Sequence, residues 1–153
     1  MPALALPPLT PRTVRTIAAS GVAGLVAWEI FGRLIAPLIW DLTPDPTQLI
    51  EAALGIGGAG AQFIHIVTAL VFFPAGYVLV ARPLTAAIAP RLPWVLLAID
   101  YGIVLWVFAL YVMASLVAGM PPFLDFGPVA WASLFGHLAL AIALGATAER
   151  MEK

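Results

Sequence analysis

Hydrophobic residues in this chain gather into four long blocks, 16–40, 61–81, 93–118 and 127–148, parted by short stretches where proline, glycine and charge collect. At 1.5 Å rise per residue, about 20 residues cross a hydrocarbon core of roughly 30 Å, and each block reaches that length. The first and third leave room for tilt. The pattern predicts one transmembrane domain over 1–153, an all-α integral membrane four-helix bundle. No small-residue cleavage site follows a short apolar core near Met1, so the first block is expected to be retained rather than removed as a signal peptide.

The intervening polar stretches carry their own signals. Asp45-Pro46 reads as an N-cap followed by a proline at the first helical position, and predicts a short surface helix over 46–54. Residues 55–60, Gly-Ile-Gly-Gly-Ala-Gly, predict a hinge into the second span. Pro83, Pro90 and Pro93 bracket 84–89 and predict a tight loop holding the middle spans as an antiparallel pair. Met120-Pro121-Pro122 closes the third span, and Trp40, Trp94 and Trp131 fall where interfacial anchors belong.

Composition agrees with a bilayer as solvent: 63% of residues are hydrophobic, 10% are charged and the mean hydropathy is +1.05, where soluble domains carry about a quarter charged residues. The net charge of −1 is too balanced for a nucleic-acid-tracking surface. With no cysteine, disulfides, thiol nucleophiles and iron–sulfur ligation are excluded.

Charge also predicts sidedness. Arg12 and Arg15 precede the first span, Arg82 and Arg91 flank the second loop, and Arg150 and Lys153 follow the fourth, all on one side. Asp41, Asp45, Glu51 and Asp125 fall on the other, without a basic residue beside them. The positive-inside rule therefore places both termini in the cytoplasm.

Five ionisable side chains fall inside the spans: Glu29, Arg33, His65, Asp100 and His137. Each costs free energy in lipid and is expected to face protein or water. Glu29 and Arg33 stand four apart with the acid first, the favourable order for an intrahelical ion pair. Asp100 has no charged neighbour at helical spacing and needs a partner from another helix or another molecule. His65 and His137 are the cofactor-capable pair, suited to haem b or a quinone, because an imidazole offers one nitrogen to a ligand and the other to a second acceptor. Counted from the inner ends, at Arg82 and Arg150, His65 lies deeper than His137 by about four residues, a mismatch of about 6 Å. No metal site is expected; the acidic loop residues read as a solvated rim.

Small residues mark contact faces. Ser133, His137, Ala141 and Gly145 recur every four residues in the fourth span, and Ser20, Gly21, Ala23, Gly24 and Ala27 cluster in the first. Small faces allow close backbone approach, so these two spans are expected inside the bundle or against a partner. Phe63-Ile64-His65 in the second span and Phe135-Gly136-His137 in the fourth echo each other, as a duplicated hairpin would. The stretch Ser133-Leu134-Phe135-Gly136-His137-Leu138, with Gly145 downstream, resembles the last helix of small uncharacterised four-helix bacterial inner-membrane proteins. That resemblance implies a four-helix architecture and an inner-membrane location, and carries no activity.

Metalloprotease, phosphate-loop and nucleophile-elbow motifs are absent from the sequence. The sequence accordingly favours a non-catalytic accessory, stabilising or assembly subunit of a larger membrane complex, in contact with lipid and with other integral subunits or copies of itself. Two alternatives stand beside it: a haem b or quinone-binding electron-transfer subunit using His65 and His137, and a small oligomeric transporter or channel lined by Glu29, Arg33 and Asp100.

Overall fold

In a computed structural model that describes residues 7–152, the chain forms four long apolar helices, candidate membrane spans, and one short helix. They are α1 (Pro11–Trp40), α2 (Pro46–Leu54), α3 (Gly58–Ile88), α4 (Trp94–Val117) and α5 (Pro128–Glu152). Lys153, counted above in the charge asymmetry, lies outside the described residues.

Local chemistry sets the ends. Thr10 caps α1 by accepting the Thr13 amide at 3.2 Å, with Pro11 at the first position, so the helix starts five residues before the apolar block. The Asp45 carboxylate accepts the Thr47 amide at 2.9 Å and starts α2, and Gly55, at φ +70°, ends it with an N–H to the Glu51 carbonyl. The expected 46–54 bounds hold. The glycine hinge is shorter than expected, because Gly58, Ala59 and Gly60 already belong to α3.

α3 also runs further than the sequence suggests, through Pro83 to Ile88, so the expected loop over 84–89 is mostly helix. The reason is a widened, π-helical turn at Tyr77–Ala81. It ends on Arg82, whose amide bonds the Tyr77 carbonyl, and Pro83 then falls in the first turn of the next α segment, where a missing N–H is harmless. Pro37 follows the wide turn Phe31–Ile35 and Pro74 follows Thr68–Phe72 in the same way. A fourth wide stretch, Phe108–Val117, fills the second half of α4.

α5 packs along α1 on one side and α4 on the other, and α3 packs on α1. The small faces make these contacts. A Cβ on Gly21 would lie 2.3 Å from the Leu70 carbonyl oxygen, and Ser133, His137, Ala141 and Gly145 are all buried. α3 and α4 close the ring loosely. In the half of their seam nearer the basic end the Tyr101 hydroxyl donates to the Phe73 carbonyl at 2.7 Å and the Tyr101 and Tyr77 rings meet edge-on. The half nearer the acidic end is open, with α2 lying across it against the start of α3 and the wide stretch of α4.

Pro122–Phe126 connects α4 to α5 as a left-handed turn, with φ of 50°, 50°, 54° and 54° at Phe123, Leu124, Asp125 and Phe126. Each such residue costs about 1–2 kcal/mol for an L amino acid. Aromatic packing holds the turn: Phe123 lies 4.8 Å from Trp106 and 5.5 Å from Tyr111, ring to ring, and the Trp106 indole donates to the Ala130 carbonyl.

The two ends of the bundle differ in charge. Arg12 reaches the Met151 carbonyl at 3.1 Å, and Arg82 pairs with Glu149 at 3.7 Å and with Glu152. The arginines flanking the spans gather there, while Asp41, Asp45, Glu51 and Asp125 occupy the opposite end.

Candidate functional site

α1 presents Thr16, Ser20, Gly24 and Trp28 to the interior at a spacing of four, and all four are buried. The small residues let α5 approach until the Trp28 indole lies against Gly136, where a Cβ would sit 2.6 Å from the ring. Fixed in this way, Trp28 meets both histidines edge-on. Ring centroids are 5.0 Å apart for His137 and 6.3 Å for His65. The depth mismatch counted from the sequence is thereby reduced. The stretch between His65 and Arg82 contains the wide turns Thr68–Phe72 and Tyr77–Ala81, each of which spends an extra residue per turn and advances less along the axis.

The two imidazoles are held differently. His137 is almost fully buried, and its Nδ1 lies 2.8 Å from the Ser133 carbonyl oxygen and 3.3 Å from the Ser133 hydroxyl. A carbonyl only accepts, so the hydrogen is on Nδ1 and Nε2 keeps its lone pair. Nε2 has no hydrogen bond among the described residues. His65 is partly buried, and its Nδ1 is enclosed without a partner among the described residues.

Both imidazoles and Trp28 line a cavity of about 270 Å³ in the open half of the α3–α4 seam. Its walls are chiefly apolar, Phe108 and Leu110 among them, and Leu49 and Leu54 of α2 form the roof. A haem held between two imidazoles needs far more room. Drug-sized ligands alone occupy about 300–1,000 Å³, and Trp28 already packs on both rings. The residues present do not fit a haem.

The other in-span charges lie away from this cavity. Asp100, expected to be sheltered, is exposed on the outward face of α4 beside Leu96 and Val104, with no hydrogen bond or ion pair among the described residues. Tyr101, the next residue, turns the opposite way to Phe73. Glu29 and Arg33 do pair, as the spacing predicts, but on the outside of α1: the Arg33 side chain is 68% exposed. Arg33 lies seven residues from the acidic end of α1 and Asp100 six from the basic end of α4, so the three residues line no common path through the monomer.

A second concavity, about 480 Å³, lies at the basic end between Thr13, Arg82, Trp94 and Glu149. Its one deeply placed cation, Arg82, is already paired with two carboxylates. Among the described residues no three acidic or histidine side chains converge to hold a metal ion.

The sequence pointed to His65 and His137 but not to Trp28 between them. The signal was present: the four-residue spacing of Thr16, Ser20, Gly24 and Trp28 matches that of Ser133, His137, Ala141 and Gly145 on the helix it meets. No family model, curated protein or solved structure matches the chain.

Proposed function

We propose that this four-span membrane protein is a non-catalytic subunit of a larger integral assembly in the bacterial inner membrane, docked to a partner helix through the outward face of α4. The observation that carries this is Asp100. α4 is 24 residues long, at most about 36 Å because its second half is widened, so it overhangs a hydrocarbon core of roughly 30 Å by at most about 3 Å at each end. Six residues in from Trp94, Asp100 then lies at least about 6 Å below the boundary. A carboxylate facing lipid costs up to about 2.5–3.5 kcal/mol, less towards the interface. A partner helix bearing Lys, Arg or a hydrogen-bond donor at that depth removes the penalty. In a second parallel copy Arg33 lies near the other end of its span and cannot meet Asp100, which favours a partner of different sequence.

The basic end, with both termini, faces the cytoplasm in this proposal, supported by the arginines gathered there. Location in an inner membrane rests on the resemblance of the last span. Because the chain has no cysteine, single-cysteine variants report sidedness cleanly. Gln48→Cys should label from outside intact cells and Thr13→Cys should not.

Extraction into lipid nanodiscs tests the docking. Wild-type protein should be recovered with other subunits, in larger particles than discs holding the 16.1 kDa chain alone, and Asp100→Leu should release it from them. A wild-type protein recovered alone, indistinguishable from Asp100→Leu in size and stability, would refute the proposal.

A further inference from the structure

The cavity beneath α2 has three properties that together specify a class of ligand. It is lined chiefly by apolar side chains in the half of the α3–α4 seam that α2 covers, which favours a lipid-soluble occupant. Its volume of about 270 Å³ equals that of about nine waters at ~30 Å³ each, enough for a ring or a short chain segment but not a phospholipid headgroup with its glycerol. At its floor, Ser133 holds His137 through Nδ1, which leaves Nε2 without a hydrogen bond among the described residues, and the Nδ1 of His65 is enclosed with no partner among them.

We propose that this cavity binds a neutral, lipid-soluble molecule through a hydroxyl group that donates to His137 Nε2, with its apolar body under Leu49 and Leu54 of α2. The bound hydroxyl oxygen retains lone pairs for the second imidazole, His65, which lines the same space. Trp28, wedged against Gly136, gives the floor a fixed shape, so the site is formed before the ligand arrives. The roof is the less rigid part: no residue of α2 is fully buried, and its ends are set by Asp45 and Gly55 alone. Two sources share this chemistry, a membrane hydroquinone and a long-chain lipid alcohol.

The site is independent of the docking surface on α4, and its test needs no partner. Purified protein in mild detergent is titrated with decyl-substituted benzohydroquinone, its dimethyl ether, and farnesol. Binding is followed by quenching or shift of tryptophan emission and by the ¹⁵N resonance of His137 Nε2. The hydroquinone or the alcohol should bind, the tighter of the two naming the source, and should move the Nε2 resonance. The dimethyl ether, which has the same apolar body and no donor, should bind at least 10-fold more weakly. His137→Phe and the cavity-filling Ala109→Phe should each lower affinity at least 10-fold. Equal binding of ether and hydroquinone to the wild-type protein, or no binding by either hydroxyl probe, would overturn the proposal without reliance on any variant.

Discussion

Three glycines on α1 allow one substitution to be read in three environments. At Gly21 an added Cβ meets backbone: the Leu70 carbonyl oxygen at 2.3 Å and the Leu70 carbonyl carbon at 2.9 Å. Neither atom can rotate away, so α1 and α3 must part until 2.3 Å becomes about 3.4 Å, where ordinary contact begins. Overpacking of this kind costs about 1–3 kcal/mol, against which alanine returns about 0.8–1 kcal/mol of helix propensity. Gly21→Ala should therefore destabilise by up to about 2 kcal/mol, as much as roughly a 30-fold loss in the folded-to-unfolded ratio. At Gly24 the nearest atoms, the Leu140 carbonyl oxygen and Cγ, lie at 3.3 and 3.4 Å, and the same change should be close to neutral. At Gly32 the nearest atom is Pro44 Cδ at 3.9 Å, and alanine should stabilise by up to about 1 kcal/mol. Equilibrium unfolding in mixed micelles measures all three. Effects at Gly21 and Gly32 that agree to within about 0.5 kcal/mol would refute the claim that close backbone contact, not helix propensity, governs α1.

Tyr101→Phe removes the hydrogen bond that crosses the α3–α4 seam at Phe73 and should cost about 0.6 kcal/mol, the mean for interhelical bonds in membranes, in the same unfolding assay. Asp45 is held below the usual carboxylate range, first by the Thr47 hydroxyl, which donates at 2.6 Å, and also by the Thr47 amide. Its contribution is therefore complete above about pH 4 and is lost as pH falls through the lowered folded value. The protection factor of the Thr47 amide, its exchange rate relative to the intrinsic rate at each pH, should fall over that window, and Asp45→Asn should cap α2 without the pH dependence. Arg82→Gln, which breaks the pairs with Glu149 and Glu152, should cost about 0.2–1 kcal/mol, less at high salt, because all three side chains keep access to water.

Hydropathy alone located the four spans, and Asp45-Pro46 with Gly55 fixed α2 to the residue, because caps are local chemistry. The contact faces of α1 and α5 were also legible, since small side chains stand out against leucine and valine. The direction of Asp100 was not. α4 is apolar all round, so its sequence contains no face that says which side turns inward. The meeting of His65 and His137 at Trp28 depends on wide turns whose only sequence mark is a proline two residues beyond, and a count that assumes uniform α-helical rise misses them. The left-handed turn at Pro122–Phe126 gave no warning either: it contains no glycine, and the aromatic contacts that hold it come from α4 and from the turn itself.

The bond between Tyr101 and Phe73 divides the α3–α4 seam into a fastened half and a free half. Any spreading of these helices must pivot about that fastening, as the arms of a clothes peg do about its spring. In the binding proposal above, this vestibule takes its ligand from the leaflet at the acidic end and stops short of the other. Proteoliposomes of an isolated copy should therefore hold a proton or ion gradient as tightly as empty vesicles.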